Sequence, residues 1–364
     1  MHLLSEPTVS HLLRSLTPSE CHSFLSALSA AVVTVSSQSS SSSTENLVHQ
    51  PLRTTITTKD NNLSLFMPVS NTTTTGIKIV TASAAHGIIG VINIFSPEGK
   101  LLGLLSAAEI TAFRTALAIM TLFVRCPTRR IRRERIVIFG SGRQAEWHAR
   151  LVLLLSSSEG EGEEQRQNQV RRIVFVNRGK KRLEEMRGLA DELTARYPGL
   201  EVEMLAKEGT DTADYEAKLR EELTHCDVVF SCTPATEPNW RFADLGTGTK
   251  KSRFIGLIGS YKPYMREIDT ETLLSGDQGR VFVDSKEACL EESGELIAAG
   301  VGEEQLVEVG GLYGGMSEGE TIDVEEGRNV VFKCVGMGIM DLVVGKMLLD
   351  VAQARGLGME VDGF

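Results

Sequence analysis

The sequence predicts an α/β protein with a doubly wound parallel sheet and a second domain, and three observations lead to this prediction. The chain has 364 residues, which is too long for one small domain and suits two. From about residue 135 onward, short apolar runs alternate with helical segments, as in a parallel sheet with helices on both faces. Before that point, strand-like runs follow one another directly, which favours an antiparallel or mixed sheet.

The composition is that of a globular protein and argues against several classes of function. Hydrophobic residues make up 41% of the chain and charged residues 24%, enough for a sizeable apolar core. A formal net charge of -10 predicts no nucleic-acid partner, because an acidic surface repels a phosphate backbone. No apolar run approaches the length of a membrane span, and no basic segment precedes an apolar core at the start, so we expect neither a membrane anchor nor a secretory signal.

Cysteine and histidine usage predicts no metal and no disulfide framework. The six cysteines are scattered and none has CxxC spacing, which predicts free thiols in a reducing compartment and a cytoplasmic protein. The seven histidines form no HExxH or paired-ligand pattern, so no metal site is expected.

The first part of the chain is rich in predicted strands. Two polar low-complexity stretches, 36–46 and 156–169, predict solvated loops on either side of it. Ser106 and Glu109 have capping-box spacing and predict a helix that runs to about Arg125. The predicted strands are 54–58, 63–69, 77–82, 88–95 and 100–105.

The second part has the alternating pattern. The region 329–354 reads as one long buried or amphipathic helix, which is well placed to return to the first domain. The predicted parallel strands are 135–139, 173–177, 201–205, 227–232, 254–258 and 281–284.

The strongest local motif is GSGRQA at 140–145, between a predicted strand and a predicted helix. Gly140 permits a tight turn, Gly142 lets the backbone approach a pyrophosphate, and Ala145 lets the helix pack closely on its strand. The helix N-terminus adds N–H groups and a positive dipole end. This setting predicts a Rossmann dinucleotide site rather than a glycine-rich turn that binds nothing. The predicted cofactor contacts are Gly140, Ser141, Gly142, Arg143 and Gln144.

The end of the second parallel strand indicates which dinucleotide is bound. NAD enzymes usually carry an aspartate or glutamate there, which accepts a hydrogen bond from the ribose 2′-hydroxyl. This strand ends in Asn177-Arg178, and Lys180, Lys181 and Arg182 follow. Because these cations suit a 2′-phosphate, the sequence predicts NADP(H) over NAD(H), with Asn177 and Arg178 as contacts.

Several segments together resemble the ornithine cyclodeaminase/mu-crystallin family. The resemblance extends from about Arg53 to Leu349, and its motifs stand in family order. It implies a Rossmann domain, 126–319, inserted into a substrate-binding and dimerisation domain, 1–125 plus 320–364, with a mixed sheet formed by both chain ends. It also implies a homodimer. The matching segments are Met67-Pro68, TAFRTA at 111–116, GSGRQA at 140–145, GSYKP at 259–263, Arg266-Glu267, VDS at 283–285, EESGE at 291–295 and VFKCVG at 331–336.

The resemblance also implies a site for an imino or amino acid carboxylate. Arg53, Lys78 and Arg114 match family positions around the substrate's carboxylate, which a guanidinium can hold in bidentate fashion. Lys78 would either bind the carboxylate or protonate the substrate nitrogen. Further cofactor contacts implied by the family are Thr233, Val335 and Gly336.

One departure from the family pattern bears on the reaction. True ornithine cyclodeaminases place an essential aspartate where this chain has Tyr261, and a neutral phenol is a weak base at neutral pH. The resemblance therefore favours an NAD(P)H-dependent reductase of cyclic ketimine carboxylates, an oxidoreductase that forms a cyclic α-amino acid. Tyr261 is then either a catalytic proton donor or a pocket residue. The alternatives are an ornithine cyclodeaminase and a non-catalytic NADPH-binding protein that holds a small ligand.

Overall fold

The protein, as a computed structural model, is described here for residues 1–40, 46–83, 87–156, 169–246, 250–317 and 319–363. The chain divides into two compact units. The first consists of Met1–Ala118, Gly310–Gly315 and Gly336–Phe364, and the second of Ile119–Val309 and Met316–Val335. The domain bounds predicted above, 1–125 plus 320–364 and 126–319, and the roles assigned to them stay predictions.

Helices and strands are numbered in chain order. The helices are α1 (Glu6–Arg14), α2 (Pro18–Ser40), α3 (Ala107–Phe123), α4 (Arg143–Ser156), α5 (Lys180–Glu184), α6 (Arg187–Arg196), α7 (Thr212–His225), α8 (Thr270–Leu273), α9 (Lys286–Glu292), α10 (Gly294–Ala299), α11 (Val309–Gly314) and α12 (Gly338–Ala354). The strands are β1 (His2–Leu4), β2 (Val48–His49), β3 (Thr54–Thr57), β4 (Leu63–Asn71), β5 (Thr75–Ser83), β6 (Gly87–Phe95), β7 (Leu101–Ser106), β8 (Arg135–Phe139), β9 (Arg172–Asn177), β10 (Glu201–Ala206), β11 (Val228–Ser231), β12 (Phe254–Leu257), β13 (Val281–Val283), β14 (Leu306–Glu308), β15 (Val330–Lys333) and β16 (Met359–Glu360).

The first unit contains a mixed sheet that both chain ends complete. Its strand order is β16-β1-β7-β6-β5-β4-β2, and β3 pairs with β4. Strands β4 to β7 are antiparallel neighbours, whereas β1 runs parallel to β7 and antiparallel to β16. Helix α12 packs on α2 and on β4, β5 and β6, with Leu342, Leu348 and Leu349 fully buried. The predicted mixed sheet and the return of the C-terminal helix are therefore confirmed.

The second unit contains an eight-stranded parallel sheet, which confirms the predicted Rossmann-type architecture. Its order is β10-β9-β8-β11-β12-β15-β13-β14, and each neighbouring pair is parallel. From β8 the chain adds β9 and β10 toward one edge of the sheet. From β11 it adds the later strands toward the other edge, so the strand order reverses between β8 and β11. In folds of this type, ligands bind at the carboxyl ends of the strands at such a reversal.

Two local predictions were wrong. Residues 330–333 form the central strand β15 rather than the start of a helix, and α12 begins only at Gly338. A strand buried on both faces has no alternating pattern, so its apolar run merges with that of the following helix. The predicted loop 36–46 is helical through Ser40, where the Gln38 side chain bonds both backbone groups of Val48. Residues 41–45, and 157–168 of the second polar stretch, lie outside the described residues.

Candidate functional site

Lys78 and Arg114 share one carboxylate inside the first unit. Lys78 lies on β5, Arg114 on α3 and Asp341 on α12. The Nζ atom of Lys78 lies 2.6 Å from Oδ2 of Asp341, and Nε of Arg114 donates a hydrogen bond to Oδ1 at 3.0 Å. Each of the three side chains is almost completely buried. The fold thus gathers two predicted substrate residues around an aspartate that the sequence analysis missed.

The third predicted cation, Arg53, acts on the same lysine. Arg53 is half-buried and immediately precedes β3, which pairs with β4. Burial lowers the pKa of Lys78 to about 7, and the positive charges of Arg114 and Arg53 add to this, while Asp341 opposes it. An ammonium group with a pKa near neutrality is suited to proton transfer at physiological pH.

The cluster carries more positive than negative charge. Two buried cations, protonated Lys78 and Arg114, share the carboxylate of Asp341. Buried charge of one sign is costly unless a partner compensates it. A small carboxylate ligand would supply the missing negative charge, and a guanidinium can bind it through two parallel hydrogen bonds.

Gly336 packs against the guanidinium of Arg114. Its backbone is in the left-handed region, with φ at +87°, and a Cβ atom built there would collide with Nη1 and lie 2.8 Å from Nη2 of Arg114. Only glycine satisfies both the backbone conformation and the close approach. The sequence analysis predicts Gly336 and Val335 as cofactor contacts. Gly336 belongs to the first unit, beside Arg114, and Val335 to the second, where its N–H donates to Oδ1 of Asp284 at 3.2 Å.

The predicted dinucleotide turn lies at the strand reversal of the second unit. Gly140 follows β8 with φ at +121°, and its N–H donates to the carbonyl of Val176 at 2.8 Å. A Cβ on Gly140 would lie 3.2 Å from the Cys232 carbonyl oxygen, just beyond β11, whereas a Cβ on Gly142 would meet nothing within 4 Å. Ala145 is fully buried in the first turn of α4. The turn therefore leaves open space against a helix N-terminus, which fits a pyrophosphate.

The other predicted residues of this turn lead into α4. Ser141 is half-buried and Arg143, the first residue of α4, is exposed. The Gln144 carbonyl accepts a hydrogen bond from Nδ1 of the buried His148 at 2.7 Å. Burial lowers the pKa of His148 to about 4, so this imidazole is neutral at physiological pH and acts as a fixed donor to the first helical turn.

At the end of β9, the structure adds a carboxylate that the sequence analysis did not place there. The Asn177 side chain donates to the Gly179 carbonyl at 2.9 Å, and Arg178 is exposed. The Glu208 carboxylate accepts a hydrogen bond from the Lys180 N–H at 2.9 Å. Glu208 follows β10, the neighbouring parallel strand, so its position beside the basic group depends on strand order and not on local sequence.

Thr233 and Tyr261 follow β11 and β12. The Thr233 hydroxyl accepts a hydrogen bond from the Asn239 side chain at 2.7 Å. Tyr261 is 36% exposed, and the Lys262 ammonium lies 5.9 Å from the centre of its ring, a cation–π distance. Both residues belong to the second unit, whereas Lys78 belongs to the first.

The described ranges contain neither a cluster of metal-ligating side chains nor a membrane-spanning helix. No group of three or more histidine, cysteine, aspartate and glutamate side chains there is arranged to hold a metal ion. In the same part of the chain, no helix is long and apolar enough to cross a membrane.

Comparison with known proteins places this chain in a family. The family model described as "Ornithine cyclodeaminase/mu-crystallin family" matches residues 213–356. Uncharacterized protein YGL159W of Saccharomyces cerevisiae is 30% identical over 317 residues, which cover 81% of this chain and 83% of the yeast protein. The chain belongs to the ornithine cyclodeaminase/mu-crystallin family.

Other similar proteins have names that indicate an activity. Ketimine reductase mu-crystallin of Macropus fuliginosus is 27% identical and matches over 85% of this chain and 87% of its own length. The solved structure of Thermococcus litoralis Delta(1)-pyrroline-2-carboxylate reductase, in complex with NADH and L-proline, has a TM-score of 0.75 at 22% identity and covers 99% of this chain and 100% of its own. That structural likeness shows that the fold is shared along nearly the whole chain.

Asp341 is the main residue of this family member that the sequence analysis missed. It is a lone carboxylate in the apolar run 339–344, and a charge in such surroundings requires a partner. That signal was present in the sequence. The partners of Asp341 could not be predicted from the sequence, because Lys78 and Arg114 lie far away along the chain.

Proposed function

We propose that this family member reduces the C=N bond of a cyclic ketimine carboxylate to a cyclic α-amino acid, with NADPH as reductant. The observation that carries the proposal is the buried ion-pair cluster of Lys78, Arg114 and Asp341, which has an excess of positive charge and a lysine with a pKa near neutrality. Such a cluster suits a substrate that presents a carboxylate next to an imine nitrogen.

Each cation has a role in the proposed reaction. Arg53 and Arg114 hold the carboxylate, and Lys78 either assists them or donates a proton from Nζ to the ring nitrogen. The arriving carboxylate raises the pKa of Lys78, because a nearby negative charge favours the ammonium form. Substrate binding would thus prepare the proton donor in its charged state. In the balanced reaction the nitrogen gains a proton, the carbon gains a hydride and the double bond becomes single.

The second unit supplies the proposed dinucleotide site. When bound, NADPH supplies the hydride. The turn from Gly140 to Gln144 would hold the pyrophosphate through backbone N–H groups. The proposed contacts in this site are Gly140, Ser141, Gly142, Arg143, Gln144, Asn177, Arg178, Thr233 and Val335. The predicted contact of Gly336 with the cofactor stays a prediction.

The preference for NADPH over NADH rests on charge at the end of β9. Arg178 is exposed there and is followed by Lys180, Lys181 and Arg182, which suit a 2′-phosphate. Glu208 opposes the preference, because its carboxylate already occupies the Lys180 N–H. We therefore expect a preference for NADPH that Glu208 limits.

The names of the relatives support imine reduction. The Macropus fuliginosus relative is named a ketimine reductase, and the Thermococcus litoralis reductase was solved with a nicotinamide cofactor and a cyclic amino acid. Tyr261, at a position where cyclodeaminases of this family carry an aspartate, further favours reduction over deaminating cyclisation. Tyr261 would donate a hydrogen bond or a proton to the substrate, or line its pocket.

A substrate panel tests the proposal. Purified protein would be incubated with NADPH or NADH and with pyrroline-, piperideine- or thiomorpholine-type ring carboxylates, and the loss of reduced-nucleotide absorbance followed. Oxidation that depends on the ring substrate, with a lower KM for NADPH, supports the proposal. Ammonia release from ornithine without added reductant would indicate a cyclodeaminase instead. Tight NADPH binding without turnover would indicate a binding protein.

Two further expectations accompany the proposal. The first unit, which we assign to substrate binding, would also form the interface of a homodimer, and light scattering after gel filtration measures that state. The six cysteines are free thiols, which agrees with a reducing compartment such as the cytoplasm.

A further inference from the structure

Three charged residues of the family motifs, which have no role in the proposed reaction, meet in the second unit. Glu267 follows Arg266, Glu295 ends the EESGE motif, and Lys333 lies on β15 in the VFKCVG motif. The Nζ atom of Lys333 lies 3.3 Å from Oε1 of Glu295 and 3.6 Å from Oε2 of Glu267. No more than 2% of any of these residues is exposed. A fully buried cluster of one cation and two carboxylates therefore lies beneath the GSYKP loop.

The cluster holds the loop by its backbone. Lys333 donates hydrogen bonds to the carbonyl and to the hydroxyl of Ser260, both at 2.6 Å. Oε2 of Glu267 accepts the N–H groups of Gly259 at 2.7 Å and of Ser260 at 3.1 Å. The Ser260 hydroxyl donates in turn to Glu295. Both polar sides of the peptide chain at 259–260 are thus bonded to buried charged groups.

Two residues assigned to the proposed reaction adjoin this part of the loop. Tyr261 is the next residue after Ser260. A Cβ on Gly259 would collide with the carbonyl group of Thr233, so the loop backbone is in direct contact with the segment after β11. A shift of residues 259–260 would therefore move Tyr261 and press on Thr233.

Stability alone does not explain such a cluster. Replacing buried ion pairs by apolar residues is often neutral or stabilising, because the cost of removing charges from water is large. Here that cost is visible at Glu267, where burial raises the pKa of the carboxyl to about 7, Lys333 opposes the increase and Glu295 adds to it. The benefit that remains is the set of hydrogen bonds that the cluster makes. Among the described residues, Lys333 donates to one residue outside the cluster, Ser260.

We propose that Lys333, together with Glu267 and Glu295, is a positioning cluster that fixes residues 259–261 and thereby sets Tyr261 and Thr233 for the reaction. The inference rests on the proposed function for its kinetic consequence, but its structural consequence is independent of it. Misplacing a reacting group by about 1 Å can cost roughly 100-fold in rate.

The test compares Lys333→Met with Arg253→Met. Arg253 is a matched control, because it is 2% exposed in the same unit and also donates to two backbone carbonyls, those of Thr224 and Leu245. Amide hydrogen exchange of a peptide spanning 255–265 reports the loop directly, and kcat, KM and Tm are measured alongside. We expect Lys333→Met to speed exchange at Gly259 and Ser260 and to lower kcat roughly 10- to 100-fold. Arg253→Met should lower Tm and leave both readouts unchanged.

A charge-neutral variant separates positioning from charge compensation. The triple change Lys333→Met, Glu267→Gln and Glu295→Gln keeps side-chain acceptors at both glutamate positions, but no cation donates to Ser260. We expect it to recover Tm while kcat stays low and exchange stays fast. Recovery of wild-type kcat and exchange would overturn the proposal, as would unchanged exchange in Lys333→Met. If the wild-type protein reduces no ketimine, the proposed function fails, and the exchange measurements still decide whether the cluster holds the loop.

Discussion

The Nζ atom of Lys78 lies 2.6 Å from Oδ2 of Asp341, and both side chains are buried in the first unit. The same aspartate accepts a hydrogen bond from Arg114. A single carboxylate therefore influences the charge of one predicted substrate cation and the orientation of another. Because burial and two guanidinium groups oppose it, Asp341 does not restore the ordinary pKa of Lys78, which remains near neutrality.

The first prediction concerns pH. If protonated Lys78 donates to the substrate, kcat/KM falls as the pH rises through about 7, where the free enzyme loses that proton. Lys78→Met should lower kcat about 100-fold or more. Lys78→Arg keeps the positive charge but does not titrate near neutrality, so the limb near pH 7 should vanish from its profile. If the fall of kcat/KM near pH 7 persists unchanged in Lys78→Arg, a group other than Lys78 causes it.

The second prediction concerns Asp341. Its negative charge raises the pKa of Lys78, so Asp341→Asn should shift the limb of the kcat/KM profile to lower pH. Asp350→Asn is the matched control, because Asp350 lies on the same helix but forms an exposed ion pair with Lys346. The control profile should match that of the wild-type protein. If the profile of Asp341→Asn matches that of the wild-type protein, the charge of Asp341 does not set the pKa of the group that titrates.

The third prediction concerns the contact between Gly336 and Arg114. Gly336→Ala would strain the backbone and displace the guanidinium, so the KM for the ketimine should rise about tenfold or more as bidentate binding is lost. Gly356→Ala is the control, because Gly356 also has a positive φ, +64°, while a Cβ there would meet nothing within 4 Å. Each substitution should destabilise by about 1 to 3 kcal/mol from backbone strain. Equal KM values for the two variants would remove the argument for Gly336.

The fourth prediction concerns nucleotide choice. Arg178→Ser should weaken NADPH binding about tenfold and leave NADH binding nearly unchanged, because only NADPH carries the 2′-phosphate. Glu208→Gln should strengthen NADPH binding, since it removes a negative charge from the Lys180 N–H. Fluorescence titration with each nucleotide measures both effects. If the ratio of the two dissociation constants is the same in wild type and both variants, the 2′-phosphate lies elsewhere.

The sequence predicts most of the second unit because its signals are local. Strand 135–139 coincides with β8, and the glycines that follow it adopt the turn that their spacing requires. The error at 330–333 has an equally local cause. A central parallel strand is apolar on both faces, and nothing in such a short run distinguishes it from the first turn of a helix.

The features that could not be predicted depend on residues distant in sequence. Asp341 meets Lys78 only because α12 returns to the sheet that contains β5. Glu208 reaches the Lys180 N–H only because β10 lies beside β9. Lys333 appears in the sequence as part of an apolar motif, and its role beneath Ser260 follows from the order of β12 and β15 in the sheet. Residue type indicates that such charges need partners, whereas topology selects the partners.

Transfer of the label from deuterated NADPH tests the central claim most directly. The protein would be incubated with a piperideine-type ring carboxylate and NADPH that carries deuterium at both C4 positions, and the product analysed by mass spectrometry. Ketimine reduction predicts a cyclic amino acid with one deuterium on the carbon next to the carboxylate, and formation of this product slowed about 100-fold or more in Lys78→Met. Failure of every ring carboxylate in the panel to acquire deuterium, in a protein that binds NADPH, would contradict the assignment.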